Sequence, residues 1–196
     1  MQIAIKGKQI DVGDALRNHI ETSIEATVSK YFDKAIEANV AVTRSAHLFR
    51  ADISVHIGRG MLLQGHGEEA EAYAAFDAAC ERIDKRLRRY KRWLRDHRKS
   101  RDERAETIIA SQYVLAGEDE SKETEPGANP VIVAEMSTEI DTLTVGEAVM
   151  RMDLADLSAM MFRNRAHGGL NMVYRRSDGH VGWIDPQGAQ QSAKVS

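Results

Sequence analysis

Apolar positions along the first hundred residues keep changing period, and each change marks an element. Residues 2–8 alternate, with Ile3 and Ile5 on one side, which predicts a strand. Asp11 then offers a helix N-cap, and Asp14 puts a negative charge in the first turn, where the helix dipole favours it. Val12, Leu16, Ile20, Ile24 and Val28 follow at intervals of four, with Tyr31 three further on. That stripe predicts a helix of about twenty residues, roughly 30 Å long. Residues 39–44 predict a second strand with Val40 and Val42 inward, and residues 45–47 a turn. Phe49, Ala51, Ile53, Val55 and Ile57 alternate with Arg50, Asp52, Ser54 and His56, the clearest half-buried strand in the chain. Gly58-Arg59-Gly60 supplies a hairpin turn, and residues 61–66 return as a fourth strand.

Tyr73, Phe76, Cys80, Ile83, Leu87, Tyr90 and Leu94 then step alternately by three and four. This is one apolar seam on one helix, expected from about residue 68 to about residue 98 and roughly 45 Å long. Glu68, Glu69 and Glu71 at its start and basic residues at its end complement the dipole. The order is β-α-β-β-β-α. The first helix makes a right-handed crossover between two parallel strands. Both helices then cover one face of the sheet and leave the other polar.

Residues 117–129, GEDESKETEPGAN, are acidic and broken by Pro126 and Gly127, which predicts a linker. The expected division is a domain over residues 1–105, a linker over 106–129, a second domain over 130–186 and a tail over 187–196. The second domain reads as strands at 131–136, 159–162, 170–174 and 181–184, with a short helix at 145–152 capped by Thr144. Asp178-Gly179 is a type I′ hairpin signal. A unit of about 57 residues buries too little surface to be robust alone. Met160, Met161 and Phe162 put apolar groups on both faces of one strand, as burial on both sides requires. The expected fold class is α+β: an N-terminal β-α-β-β-β-α two-layer domain plus a small β-rich C-terminal dimerisation domain.

Composition adds limits. The 196 residues are 42% hydrophobic and 29% charged, which is ordinary for a soluble globular protein. The single cysteine, Cys80, excludes an intramolecular disulfide and suits a reducing compartment. The opening MQIAIKGKQID lacks a signal-peptide pattern, and no apolar run is long enough to cross a bilayer. The expectation is a cytoplasmic protein with no membrane partner.

Charge changes the picture more. The net charge of −3 hides +4 over residues 1–105 and −7 over residues 106–196. Residues 82–104 hold twelve Lys and Arg against four Asp and Glu. Arg82, Lys85, Arg86, Arg88, Arg89, Arg92, Arg95 and Lys99 fall mostly off the seam. Arginine dominates, and its planar fork suits phosphates. Acidic partners one turn away, which would make a self-neutralising face, are nearly absent, so Arg86 and Arg89 are expected to face solvent. A plain solvated helix face is the bland alternative, and a nucleic-acid partner the favoured one. Six phosphate contacts would weaken binding about a thousandfold between low and physiological salt. RNA is favoured over DNA because no helix-turn-helix, zinc finger or basic zipper is visible and because a sheet with helices on one face is a common RNA-binding layout. Lys6, Lys8 and Arg50 extend the footprint.

Catalytic and metal readings are weak. His47, His56 and His66 lack zinc spacing, and there is no second cysteine. Asp153, Asp156 and Asp178 read as commonplace carboxylates in turns and caps. No Walker loop, dinucleotide fingerprint or nucleophile elbow is present. No enzyme activity, cofactor, metal or small-molecule substrate is expected.

The runs HLFRADISV from His47, YAAFD from Tyr73 and RIDKRLRRYK from Arg82 resemble the ribosome hibernation promoting factors, also called ribosome-associated inhibitors or sigma-54 modulation proteins. More specific still are TVGEAVMRMDL from Thr144, MFRN from Met161, NMVYRR from Asn171 and DGHVGWIDP from Asp178, which are similar to the C-terminal domain of the long form. The resemblance implies a stress-response factor whose N-terminal domain binds the small ribosomal subunit near the decoding centre. There it blocks mRNA and tRNA, so translation stops. It implies rRNA contacts at Arg82, Lys85, Arg86, Arg88, Arg89 and Arg92, with Lys6 and Lys8 added. It also implies a C-terminal homodimer that joins two whole ribosomes, centred on Met160, Met161, Phe162, Met172 and Tyr174. Residues 131–141 depart from the pattern, being acidic and apolar where the family tail commonly begins basic. Two rival classes stay open: a transcription regulator acting through a sigma factor, and a generic RNA chaperone.

Overall fold

A computed structural model describes residues 1–32, 35–57, 61–96, 106–116 and 131–187. The turn expected at 58–60, the acidic run 117–129 and Lys99 lie outside the described residues.

The N-terminal domain runs β1 (Gln2–Lys8), α1 (Asp14–Ser29), β2 (Ala35–Ser45), β3 (Leu48–Ile57), β4 (Met61–Glu69) and α2 (Ala72–Asp96). The sheet order is β1-β2-β3-β4, with β1 parallel to β2 and the other neighbours antiparallel. Parallel pairing of β1 with β2 makes α1 the crossover helix. Strand alternation then sorts the sheet. Val40, Val42, Ile53, Val55 and Leu63 turn to one face, where they are buried with Leu16, Ile20, Ile24 and Val28 of α1 and with Phe76, Ile83, Leu87 and Tyr90 of α2.

Two helix starts differ from expectation. α1 begins at Asp14, behind Gly13, with no side-chain cap, so Asp11 lies in the preceding loop although Val12 still joins the core. α2 begins at Ala72, because Glu68 and Glu69 continue β4 opposite Arg50 and Phe49. Ladder pairing therefore claims two of the three acidic residues expected to open the helix; Glu71 stands just ahead of Ala72, and the first turn itself holds none.

The helix lies almost on the strand's backbone. A Cβ built on Gly67 would stand 2.2 Å from the Ala75 carbonyl oxygen and 2.7 Å from the Ala79 nitrogen, and one on Gly65 would meet the Ile83 side chain at 2.7 Å. Glycine on β4 and alanine on α2 are what permit this approach.

The C-terminal domain runs β5 (Thr107–Leu115), β6 (Ile132–Leu143), α3 (Val145–Leu154), β7 (Ala159–Asn164), β8 (Leu170–Arg175) and β9 (Val181–Ile184), in sheet order β5-β6-β7-β8-β9. β5 is a correction, since its residues fall in the stretch expected to be linker. Its β-branched and aromatic residues suit an extended strand, and it pairs antiparallel with β6 from Thr107 opposite Asp141 to Leu115 opposite Ile132. β6 meets β7 only at Thr142 and Leu143, so most of the β5–β6 ribbon stands clear of the remaining strands.

Thr144 caps α3 as expected, in a full capping box with Glu147. Ala148 and Met152 of α3 pack on Leu143, Phe162 and Val173. Asn164 and Asn171 are buried, and both the Asn164 amide and the Trp183 indole N–H donate to the Asn171 Oδ1 at 2.9 Å. The buried carboxamides are thus satisfied. The hairpin at Asp178-Gly179 is not type I′, which needs positive φ at both residues; only Gly179 has it, at 84°. The Gly179 N–H donates to the Arg176 carbonyl, and the Arg176 N–H to the His180 carbonyl, closing a longer loop.

The sheet–helix approach has a direct consequence. Gly67→Ala forces a methyl into the Ala75 carbonyl and should lower unfolding free energy by about 1–3 kcal/mol in urea denaturation. An unchanged midpoint would show that α2 does not lie this close to β4.

Candidate nucleic-acid interface

Because α2 turns its seam inward, its charged residues are divided into rows by helix geometry alone. Lys85, Arg88 and Arg92 form an exposed outer row. Arg82, Arg86 and Arg89 lean towards the β4 edge. The Arg82 guanidinium donates to the His66 carbonyl at 2.7 Å, and that of Arg86 donates to the Gln64 carbonyl.

The expectation of unpaired cations is corrected here. Lys85 pairs with Glu81 at 2.8 Å and Arg88 with Asp84 at 2.5 Å, each one turn away on the helix. Burial works against the Asp84 carboxylate, but hydrogen bonds from Arg88 and Tyr31 outweigh it and hold its pKa below the usual value. Arg92 is exposed and has no ion pair among the described residues. Such surface pairs contribute little and cost little to break.

Arg86 is the larger correction. Its side chain is only 11% exposed and forms an ion pair with Asp156, rather than facing solvent. Arg89 is exposed but meets Asp153 at 2.9 Å. Both carboxylates come from the C-terminal domain, at the end of α3. Arg175 of β8 lies beside them, 3.4 Å from Asp153 and 3.7 Å from Asp156, and His66 of β4 is 3.2 Å from Asp156. Burial works to raise the pKa of Asp156, but the hydrogen bond and charge of Arg86, then His66 and Arg175, outweigh it and hold it below the ordinary value.

Lys6 and Lys8 sit on the other sheet face, away from the helices. Pairing sets Lys6, Ala41, Asp52 and His66 in one row and Lys8, Thr43, Arg50 and Glu68 in the next. Arg50 is held by Asp52 at 2.9 Å. Lys6, Arg50, Gln64 and His66 line an open cavity of about 630 Å³, whose rim includes Asp156. Asp156 thus stands between the two groups of cations.

Residues 3–95 match the family model described as Sigma 54 modulation protein / S30EA ribosomal protein, and residues 127–182 match the model of its C terminus. A ribosome hibernation promotion factor from Rhizobium meliloti is 41% identical over 94% of this chain and 97% of its own length. This chain belongs to that family. The second match begins after β5 and ends within β9, and it supports the long form. Proteins of the same name from Bradyrhizobium diazoefficiens and Bacillus subtilis are 36% and 26% identical, covering 100% and 95% of this chain and 99% of each of theirs.

With the family given, the residues expected at a dimer surface fall into two sets. Phe162 is fully buried in its own domain, and Met160 packs against the same core. Met161 is 50% exposed. Cross-strand pairing aligns it with Met172 and then Ile184 on the sheet face opposite α3. Tyr174 belongs to the same face, and its ring lies over Gly182, where a Cβ would come within 2.2 Å. The triplet of apolar residues in sequence therefore serves two faces, only one of them inside its own domain.

Sequence reading passed over Asp153 and Asp156 as ordinary carboxylates. The signal was present in the opposite charges of the two halves, which the fold brings into contact.

Asp156 gives a pH test. A folded pKa below the unfolded one means that its stabilisation is fully present above about pH 3.9 and is lost as pH falls through the depressed value. Stability measured from pH 6 downward should therefore fall less steeply in acid for Asp156→Asn than for the parent. Parallel curves would refute a paired carboxylate.

Proposed function

We propose that this protein silences ribosomes by occlusion and pairing. The N-terminal domain binds rRNA of the small ribosomal subunit near the decoding centre, through Arg82, Lys85, Arg86, Arg88, Arg89 and Arg92 of α2, with Lys6 and Lys8 at the margin. There it blocks mRNA and tRNA. The C-terminal domain pairs with a second copy and so joins two ribosomes. No bond is made or broken in the process, so the protein acts as a binding factor in the cytoplasm, without turnover.

The observation that carries this reading is the exposed cationic row of α2, fixed on a rigid helix in a chain whose relatives are named ribosome hibernation promotion factors. A rigid helix bearing arginines presents phosphate-binding groups with little ordering left to do. For pairing, the support is the apolar row of Met161, Met172 and Ile184 beside Tyr174, on the domain face that α3 leaves uncovered. A second copy offers the same row, and a two-fold interface is self-complementary by symmetry.

Two variants separate the halves of the mechanism. The triple charge reversal Lys85→Glu, Arg88→Glu and Arg92→Glu should abolish co-sedimentation with small subunits at physiological salt, a loss of about a hundredfold or more, with an unchanged circular dichroism spectrum. Met161→Asp with Met172→Asp should leave ribosome binding intact and remove paired ribosomes from a sucrose gradient. Phe162→Asp, by contrast, should unfold the C-terminal domain, because it puts a charge in that domain's core. Normal binding by the triple variant, or normal pairing by the double one, would sink the corresponding half.

A further inference from the structure

The C-terminal domain covers one side of the helix proposed to bind RNA, and it does so with more than charge. α3 has two apolar stripes. Ala148 and Met152 face their own domain, while Met150 and Leu154 belong to the N-terminal core, where Leu154 is only 1% exposed. Beyond Leu154 the helix ends in a Schellman pattern: the Leu157 N–H donates to the Met152 carbonyl and the Asp156 N–H to the Asp153 carbonyl. Asp156 takes the left-handed position, with φ of 52°, where glycine would be unstrained. Asp153 sits in the last turn of the same helix, where the macrodipole opposes a negative charge. Two carboxylates thus occupy positions that local physics disfavours, and both are aimed at arginines of α2.

From this we infer that the C-terminal domain is an intramolecular competitor for RNA: docked, Asp153 and Asp156 occupy Arg89 and Arg86 as phosphates would, and full engagement of α2 requires undocking. The inference rests on the reading of α2 as the rRNA-binding helix. A carboxylate presents paired oxygens to a guanidinium much as a phosphate does, so the two ligands compete for one geometry. The outer row of Lys85, Arg88 and Arg92 stays open in the docked form. Binding therefore proceeds in two steps, with encounter on the open row and then displacement of α3 from the covered one. If about nine-tenths of free molecules are docked, apparent affinity is lowered about tenfold.

The test uses the full chain in four forms: parent, Asp153→Asn with Asp156→Asn, Leu154→Asp, and a control with Glu135→Gln and Glu139→Gln on the exposed part of β6. Radius of gyration by X-ray scattering reads undocking, and titration against purified small subunits at fixed salt reads affinity. Both docking variants should expand and bind roughly tenfold tighter, while the control does neither. Leu154→Asp is decisive, because it adds a negative charge and so cannot tighten binding by relieving repulsion. Expansion of Leu154→Asp without tighter binding overturns the competitor role, and so does tighter binding by the Asn variant alone. Failure of both docking variants to expand overturns the docked form itself. Absence of small-subunit binding by every form, parent included, removes the reading of α2 and the competitor role with it.

Discussion

The approach of α2 to β4 is the constraint on which the rest of the structure depends. Gly65 and Gly67 leave no side chain between helix and strand, and Ala75 and Ala79 are fully buried against them. Once the seam from Phe76 to Tyr90 is committed to the sheet, the remaining residues of α2 have no rotational freedom. Lys85, Arg88 and Arg92 must face outward. Arg82, Arg86 and Arg89 must lie along the β4 edge, within reach of α3. One packing decision thus produces the core, the cationic ridge and the seat of the C-terminal domain.

Electrostatics on that ridge differ by burial. The pairs Glu81 with Lys85 and Asp84 with Arg88 are exposed or partly exposed and cost little to break. Arg86 is largely withdrawn from water, so it needs its partners: the Gln64 carbonyl on one side and Asp156 on the other. Removing Asp156 from it without supplying a phosphate would leave a poorly solvated charge. On the proposed reading, this asymmetry would let the covered row act as a gate and the open row as a landing surface.

Much of the fold was legible in the sequence because local periodicity and tertiary demand agree there. The stripe from Val12 to Val28 and the alternation from Phe49 to Ile57 each name their element and its buried side, and Thr144 names the start of α3. Legibility failed where a residue had two compatible roles. Glu68 and Glu69 suit a helix start, yet β3 offered them ladder partners. The stretch 107–115 has strand-forming residues, but it lies next to a strongly acidic run and its ladder partner lies beyond that run, so the linker signal masked β5. At the site, residue type marked α2 as strongly basic but did not show that Arg86 is largely buried. Its partner was hidden because contact between Arg86 and Asp156 spans 70 positions and depends on docking two domains. The same holds for Met160, Met161 and Phe162, where alternation tells that two faces exist but not which one another element covers.

The most direct test of the central claim is the salt dependence of full-chain binding to purified small ribosomal subunits. The account predicts that affinity falls steeply and log-linearly with salt, by about a thousandfold from low to physiological ionic strength, as displacement of counterions from about six phosphates requires. Affinity that is indifferent to salt would contradict it, because the arginines of α2 would then not be meeting phosphates.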